Sequence, residues 1–160
     1  MRFIKRKKLT SGQKQEILEL WNNEYPRTLK YNDIAELNEY LSKLEYQNHI
    51  LLIDDNGKIK GWYSDFIRDQ ERWFLAILNS KIQGKRFGTQ ILNMAKETNE
   101  ELKGWVINSD NYIKTNGQPY KSPTNFYKKQ GFQILEETKL ETDRLSAIKI
   151  KWSKTGYNNG

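Results

Sequence analysis

The sequence predicts a mixed α/β fold in which a mostly antiparallel mixed sheet of about seven strands is flanked by four helices, in one domain over residues 1–154. Three observations carry that prediction. Apolar residues recur at helical spacing in two early segments, the mark of a helix with one buried face. An Asn-Gly pair at 56–57 separates two strand-like runs. Near the C-terminus Ile148, Ile150 and Trp152 alternate with Lys149 and Lys151, as in a half-buried strand.

In chain order, Arg2–Lys7 is an edge-strand candidate whose basic side chains discourage sheet-to-sheet association. Thr10 and Gln13 form a capping-box pair, and Ile17, Trp21 and Tyr25 mark a helix that Pro26 ends. Asp33 and Glu36 cap a second helix with Ile34, Leu37, Leu41 and Leu44 along one face. His49–Asp54 and Lys58–Ile67 read as a hairpin, because Asn56-Gly57 supplies the two positive φ angles of a tight turn. Arg72–Asn79 is a further apolar strand, and Gly88–Leu102 a helix with Ile91, Leu92 and Ala95 inward.

Gly104–Asn108 is a short strand, followed by a polar, turn-rich stretch, Ser109–Pro123, long enough to carry function. Pro123 opens a short helix and Gly131 closes it; Phe132–Thr138 and Arg144–Trp152 complete the sheet. A strand-helix-strand crossover joins the fourth and fifth strands, which must therefore run parallel. Residues 155–160 read as a disordered tail.

Composition narrows the function classes. No cysteine is present and His49 is the only histidine, which excludes disulfides, thiolate chemistry and an ordinary zinc site; no metal is expected. No apolar run approaches a membrane span, and the basic start lacks an apolar signal core, so a cytoplasmic protein without membrane association is expected. The formal charge of +7 suits a nucleic acid, an anionic surface or a polyphosphate ligand, or simply a solvated surface.

The segment Leu78–Thr89 leaves a strand and opens a helix through a turn containing Gly84 and Gly88. Such a turn aims backbone N–H groups at one point, and the helix N-terminus adds partial positive charge, so a pyrophosphate suits it. A phosphate-binding P-loop would need Lys directly after the last glycine, where Thr89 stands, and a dinucleotide fingerprint would need a third glycine. A plain structural turn remains the other reading.

Gln83-Gly84-Lys85-Arg86-Phe87-Gly88-Thr89 resembles the Q/R-x-x-G-x-G/A signature of the GNAT superfamily of N-acetyltransferases, with Arg86 standing where its first glycine usually falls. Asn125–Phe132 is similar to the family's F-Y-x-x-x-G-F stretch, here Phe126-Tyr127 through Gly131-Phe132. Both segments occur in the family's order, and the element order fits over nearly the whole chain. The resemblance implies the GNAT acyl-CoA N-acyltransferase fold and acetyl-coenzyme A as cosubstrate. It places the acetyl-pantetheine arm on backbone groups of Ile77 and Leu78, where the fourth and fifth strands splay. The pyrophosphate falls on the amides of Gln83, Gly84, Lys85, Arg86, Phe87, Gly88 and Thr89. Tyr127 matches the tyrosine that protonates the departing thiolate; without the resemblance it reads as a helical aromatic packed under the sheet. The family often carries Asn seven residues earlier, where this chain has Tyr120.

On this reading the acceptor is an amine-bearing small molecule or peptide, approaching from the first two helices and the Ser109–Pro123 stretch. Glu71 and Asp65 are candidates for the general base, each equally readable as an exposed carboxylate, and His49 reads as structural. Lys81, Lys85 and Arg86 flank the turn, with Lys121, Lys128 and Lys129 opposite, where coenzyme phosphates would lie. Two rivals stay open: a CoA-binding protein without turnover, and a basic nucleic-acid module, which lacks a recognisable aromatic-basic motif. The sequence is compatible with a homodimer and does not separate acetyl from longer acyl groups.

Overall fold

A computed structural model describes residues 1–155; the tail positions 156–160 lie outside the described residues. One seven-stranded sheet runs in the order β1-β2-β3-β4-β5-β7-β6, where β1 is Arg2–Arg6, β2 Glu45–Ile53, β3 Ile59–Arg68, β4 Glu71–Leu78, β5 Glu101–Val106, β6 Gln133–Glu141 and β7 Ser146–Ser153. Four α-helices cover it: α1 Ser11–Glu24, α2 Ile34–Ser42, α3 Phe87–Glu97 and α4 Thr124–Lys129. Every pairing is antiparallel except β4 with β5.

Local chemistry explains the helix ends. The Thr10 hydroxyl accepts from the Gln13 amide at 3.1 Å while the Gln13 side chain accepts from the Thr10 amide at 2.9 Å, a complete capping box. Pro26 pushes Tyr25 into an extended conformation, and α1 stops at Glu24. Asp33 accepts from the Glu36 amide, but the Glu36 carboxylate takes Asn32 Nδ2 instead of closing the box. Helix α3 ends at Glu97 rather than Leu102: Asn99 Nδ2 donates to the Ala95 carbonyl at 2.8 Å, and Leu102, opposite Trp152, belongs to β5.

The hairpin after β2 is not the two-residue turn that Asn-Gly suggests. Gly57 alone has positive φ (81°), its amide bonds to Asp54 O, and the Asp54 carboxylate accepts from the amides of Asn56 and Lys58. A three-residue loop with glycine in the left-handed position results. The tight turn with two positive φ angles joins β3 to β4 instead, through Asp69 (52°) and Gln70 (66°), which the sequence pattern did not reveal. Strand β2 begins at Glu45 rather than His49, through an irregular step at Tyr46, whose φ is 53°.

Each face of the sheet carries its own core. Helices α1 and α2 pack Ile17, Trp21, Leu37 and Leu41 onto Leu51, Trp62, Phe66, Trp73 and Ile77. Helices α3 and α4 bring Ile91, Leu92 and Tyr127 against Tyr63, Phe74, Leu102 and Ile150. Alternation along β4 sends Trp73 and Ile77 to the first face and Phe74 to the second.

Candidate active site

The parallel pair at the centre of the sheet is barely a pair. Strands β4 and β5 share one register position, Trp73 opposite Lys103, and beyond it they part. The closed end is held by Lys103, which is buried and ion-paired with Glu71 and with Glu101. Past this point β4 continues through Leu75, Ala76, Ile77 and Leu78 with no partner on the β5 side.

A cavity of about 300 Å³ occupies the opening. Its lining draws on both faces of the sheet: Trp21, Tyr25, Tyr31, Tyr40 and Phe66 from the α1/α2 side, and Phe74 and Tyr127 from the α4 side. Leu75, Ala76, Trp105 and Val106 line it where the strands part, and Tyr120 and Pro123 close one wall. Ile77 and Leu78 are not in this lining. Ile77 is buried in the α1/α2-side core, and Leu78 packs toward Gly61 and Gly88.

The turn that follows β4 contributes no residue to the cavity lining. Gln83 Nε2 donates to Leu78 O at 3.0 Å and ties the turn to the end of the strand. Gly84 (φ 78°) and Arg86 (φ 72°) are both left-handed, and Arg86 is the N-cap of α3 without a side-chain cap bond. None of the amides from Gly84 to Thr89 donates to an acceptor among the described residues. Left-handed residues at an uncapped helix start leave amides without acceptors among the described residues, the kind of donor that binds anions at helix starts. Lys81, Lys85 and Arg86 at the turn, and Lys128 and Lys129 on α4, are exposed and make no ion pair among the described residues. Arg86 supplies with a side chain present the conformation that glycine ordinarily supplies.

Tyr127 is buried, and its ring meets Phe74 (5.7 Å), Phe126 (5.2 Å) and Phe132 (5.3 Å) edge-on or nearly so. Its hydroxyl has no protein partner among the described residues, and the side chain lines the cavity. Burial, with Tyr120 adding to it, pushes the phenol well above its ordinary value, so it stays protonated. A donor raised this far gives its proton less readily than a reference phenol; the same desolvation raises a thiolate held beside it.

The two carboxylates singled out as bases are engaged elsewhere. Asp65 is buried rather than exposed and accepts from Tyr63 Oη (2.6 Å), Asn48 Nδ2 (2.9 Å), Arg72 Nη1 (3.0 Å) and Asn99 Nδ2 (3.2 Å). Glu71 sits with Lys103 at the closed end. Neither lines the cavity. His49 is buried and bridges Trp62 Nε1 and Gln47 Oε1. Pattern reading missed Glu24, which takes the Ser80 amide (3.0 Å) and Lys114 Nζ (3.1 Å) and so fastens α1 to the end of β4 and to the 109–123 stretch. Its signal was a carboxylate on the buried stripe of α1, three residues after Trp21.

No family model matches the chain, and no curated protein matches it by sequence. Solved structures do match by shape. An aminoglycoside 6'-N-acetyltransferase from Enterococcus faecium superposes with a TM-score of 0.66 at 14% identity, covering 96% of this chain and 97% of that one. A GNAT superfamily phosphinothricin acetyltransferase from Sinorhizobium meliloti, in complex with AcCoA, gives 0.64 at 12% identity over 96% and 89%. A variant spermidine N-acetyltransferase from Vibrio cholerae gives 0.63 at 16% identity over 99% and 98%. With its seven-stranded sheet parted between β4 and β5 and these matches spanning nearly the whole chain, the chain has the fold of the GNAT superfamily N-acetyltransferases.

Proposed function

We propose that the protein transfers an acetyl group from acetyl-coenzyme A to a primary amine in one direct step. The observation that carries this reading is the cavity whose lining crosses the sheet through the parted strands. Such an opening lets a thioester enter from one face and an amine from the other, so that the two meet without a covalent enzyme intermediate. The chain has no cysteine to form one.

The amides of Gly84 to Thr89 hold the diphosphate, and main-chain groups at the end of β4 hold the pantetheine arm. The amine nitrogen attacks the carbonyl carbon of the thioester. A C–N bond forms, the C–S bond breaks, and the amine gives its surplus proton to water, since Asp65 and Glu71 are committed to other partners. Tyr127 donates its phenolic proton to the leaving sulfur and recovers one from solvent. A free main-chain amide near the strand opening stabilises the oxyanion. No helix among the described residues is long and apolar enough to cross a membrane.

The test is a thermal-shift titration with acetyl-CoA, followed by an amine panel scored for free thiol. At about 100 times its dissociation constant the ligand adds roughly 2.7 kcal/mol of stability, and at least one amine releases thiol above the hydrolysis background. A shift without turnover of any amine would favour a CoA-binding protein. Salt-dependent binding to DNA or RNA with no response to acetyl-CoA would favour the nucleic-acid reading.

A further inference from the structure

The cavity is unusual in what its walls lack. Tyr25, Tyr31, Tyr40 and Tyr120 line its acceptor side with Trp21 and Trp105, and no Asp or Glu among the described residues lines it. The single charged residue in the lining is Arg68, the last residue of β3. Its guanidinium stacks 4.7 Å from the Trp73 ring centroid and 5.3 Å from that of Phe66, and makes no ion pair or hydrogen bond among the described residues. Stacking fixes the plane of the fork and leaves its edge free, the arrangement in which Arg binds a carboxylate through two parallel hydrogen bonds.

The surrounding charge agrees. Arg68 acts on the Tyr40 phenol and Arg144 on Tyr31, both in the direction of a nearby cation. The carboxylate acting on Tyr31 is Glu36, which already accepts from Asn32, and Glu24 is held by Ser80 and Lys114. Burial raises the phenols of Tyr40 and Tyr120 to about 12, so both stay protonated and neutral. The carboxylate opposite Arg68 in the sheet, Glu71, is paired with Lys103, so a polycation would meet Arg68 with no uncommitted carboxylate to offset it.

We propose that the acceptor is an anionic amine, a primary amine on an apolar or aromatic body whose carboxylate pairs with Arg68. The inference rests on the acetyl-transfer reading above. Arg68 faces Glu71 on β4, whereas the strands have parted by Leu75, four residues further and roughly 13 Å away at the usual strand rise. Amine and carboxylate therefore stand at opposite ends of the molecule, as in an ω-amino acid, rather than on one carbon.

A matched pair isolates the carboxylate: 4-(aminomethyl)benzoate against benzylamine, with spermidine as the polycation. Thiol release should give 4-(aminomethyl)benzoate a kcat/KM at least about tenfold above benzylamine, with spermidine lowest. Arg68→Gln should bring the ratio of the two kcat/KM values to about one, whatever it does to each singly, and its acetyl-CoA thermal shift shows that it folds. A ratio near one, a preference for spermidine, or an advantage that survives Arg68→Gln overturns the proposal. Should no amine turn over, the same pair is compared as thermal-shift ligands on the CoA-saturated protein. Stabilisation by the benzoate alone supports the anion site even as transfer fails, and equal or absent shifts reject it.

Discussion

Phe126 lies so close beneath Gly88 that a Cβ added at position 88 would come within 3.0 Å of its ring, and within 3.3 Å of Leu78. Residue 88 stands at the start of α3 and residue 126 in α4, so the two segments that resemble the GNAT pattern touch on one face of the sheet. Gln130 Nε2 strengthens that contact by donating to Thr89 Oγ1 at 3.0 Å. The glycine is needed here for close approach, with no demand on its φ.

Gly88→Val should cost about 1–3 kcal/mol in urea unfolding, the usual penalty for overpacking. It should also weaken the acetyl-CoA shift by tilting the first turn of α3. Pairing it with Phe126→Leu should recover part of both losses. A wild-type-like shift in the single variant, or no recovery in the pair, would dissociate this contact from ligand binding.

Arg86 is a different case, because its left-handed backbone is strained with a side chain present. Arg86→Gly removes roughly 1–2 kcal/mol of strain and gives back part of it through the more flexible unfolded chain. The expected net gain is about 0.5–1 kcal/mol in urea midpoint experiments, with the acetyl-CoA shift retained because the amides stay where they are. A destabilised variant would mean that the Arg86 side chain makes a contribution larger than its strain.

Tyr127→Phe keeps the ring packed against Phe74 and Phe132 and removes only the hydroxyl. If that hydroxyl protonates the leaving thiolate, kcat falls about 10²-fold or more while the acetyl-CoA shift persists. Turnover equal to the wild type would take Tyr127 out of the mechanism and leave it a packing residue.

The parts legible in the sequence were those written in local chemistry. Thr10 with Gln13, Pro26, Gly131 and the alternation of Ile148 and Ile150 each specify an end or a face by themselves, and the succession of helices and strands along the chain followed from such signals. What stayed hidden depended on distant partners. Asp69-Gln70 carries no turn glycine, yet it makes the tight turn because the pairing of β3 with β4 imposes it. Asp65 looked like a solvated carboxylate because its partners come from positions 48, 63, 72 and 99, which only the folded sheet assembles. Arg68 likewise drew no notice in a basic chain until the stacking on Trp73, with no ion pair to Arg68 among the described residues and Glu71 opposite it taken by Lys103, set it apart.

His49 gives a pH dependence whose sign follows from its partners. Trp62 Nε1 donates to Nδ1 at 3.0 Å, so Nδ1 must stay unprotonated, while Nε2 faces Gln47 Oε1 at 2.9 Å. Burial lowers the imidazole from 6.5 to about 4, against a smaller opposing effect of Asp65. The unfolded chain therefore takes up the proton first as pH falls. Stability that depends on a neutral His49 is complete above about pH 6.5 and is lost on the way down to pH 4, by about 2–3 kcal/mol. His49→Gln keeps an acceptor but does not titrate, so its unfolding free energy should change less between pH 7 and 4.5 than that of the wild type. Parallel pH profiles for the two proteins would show that protonation of this imidazole does not oppose folding.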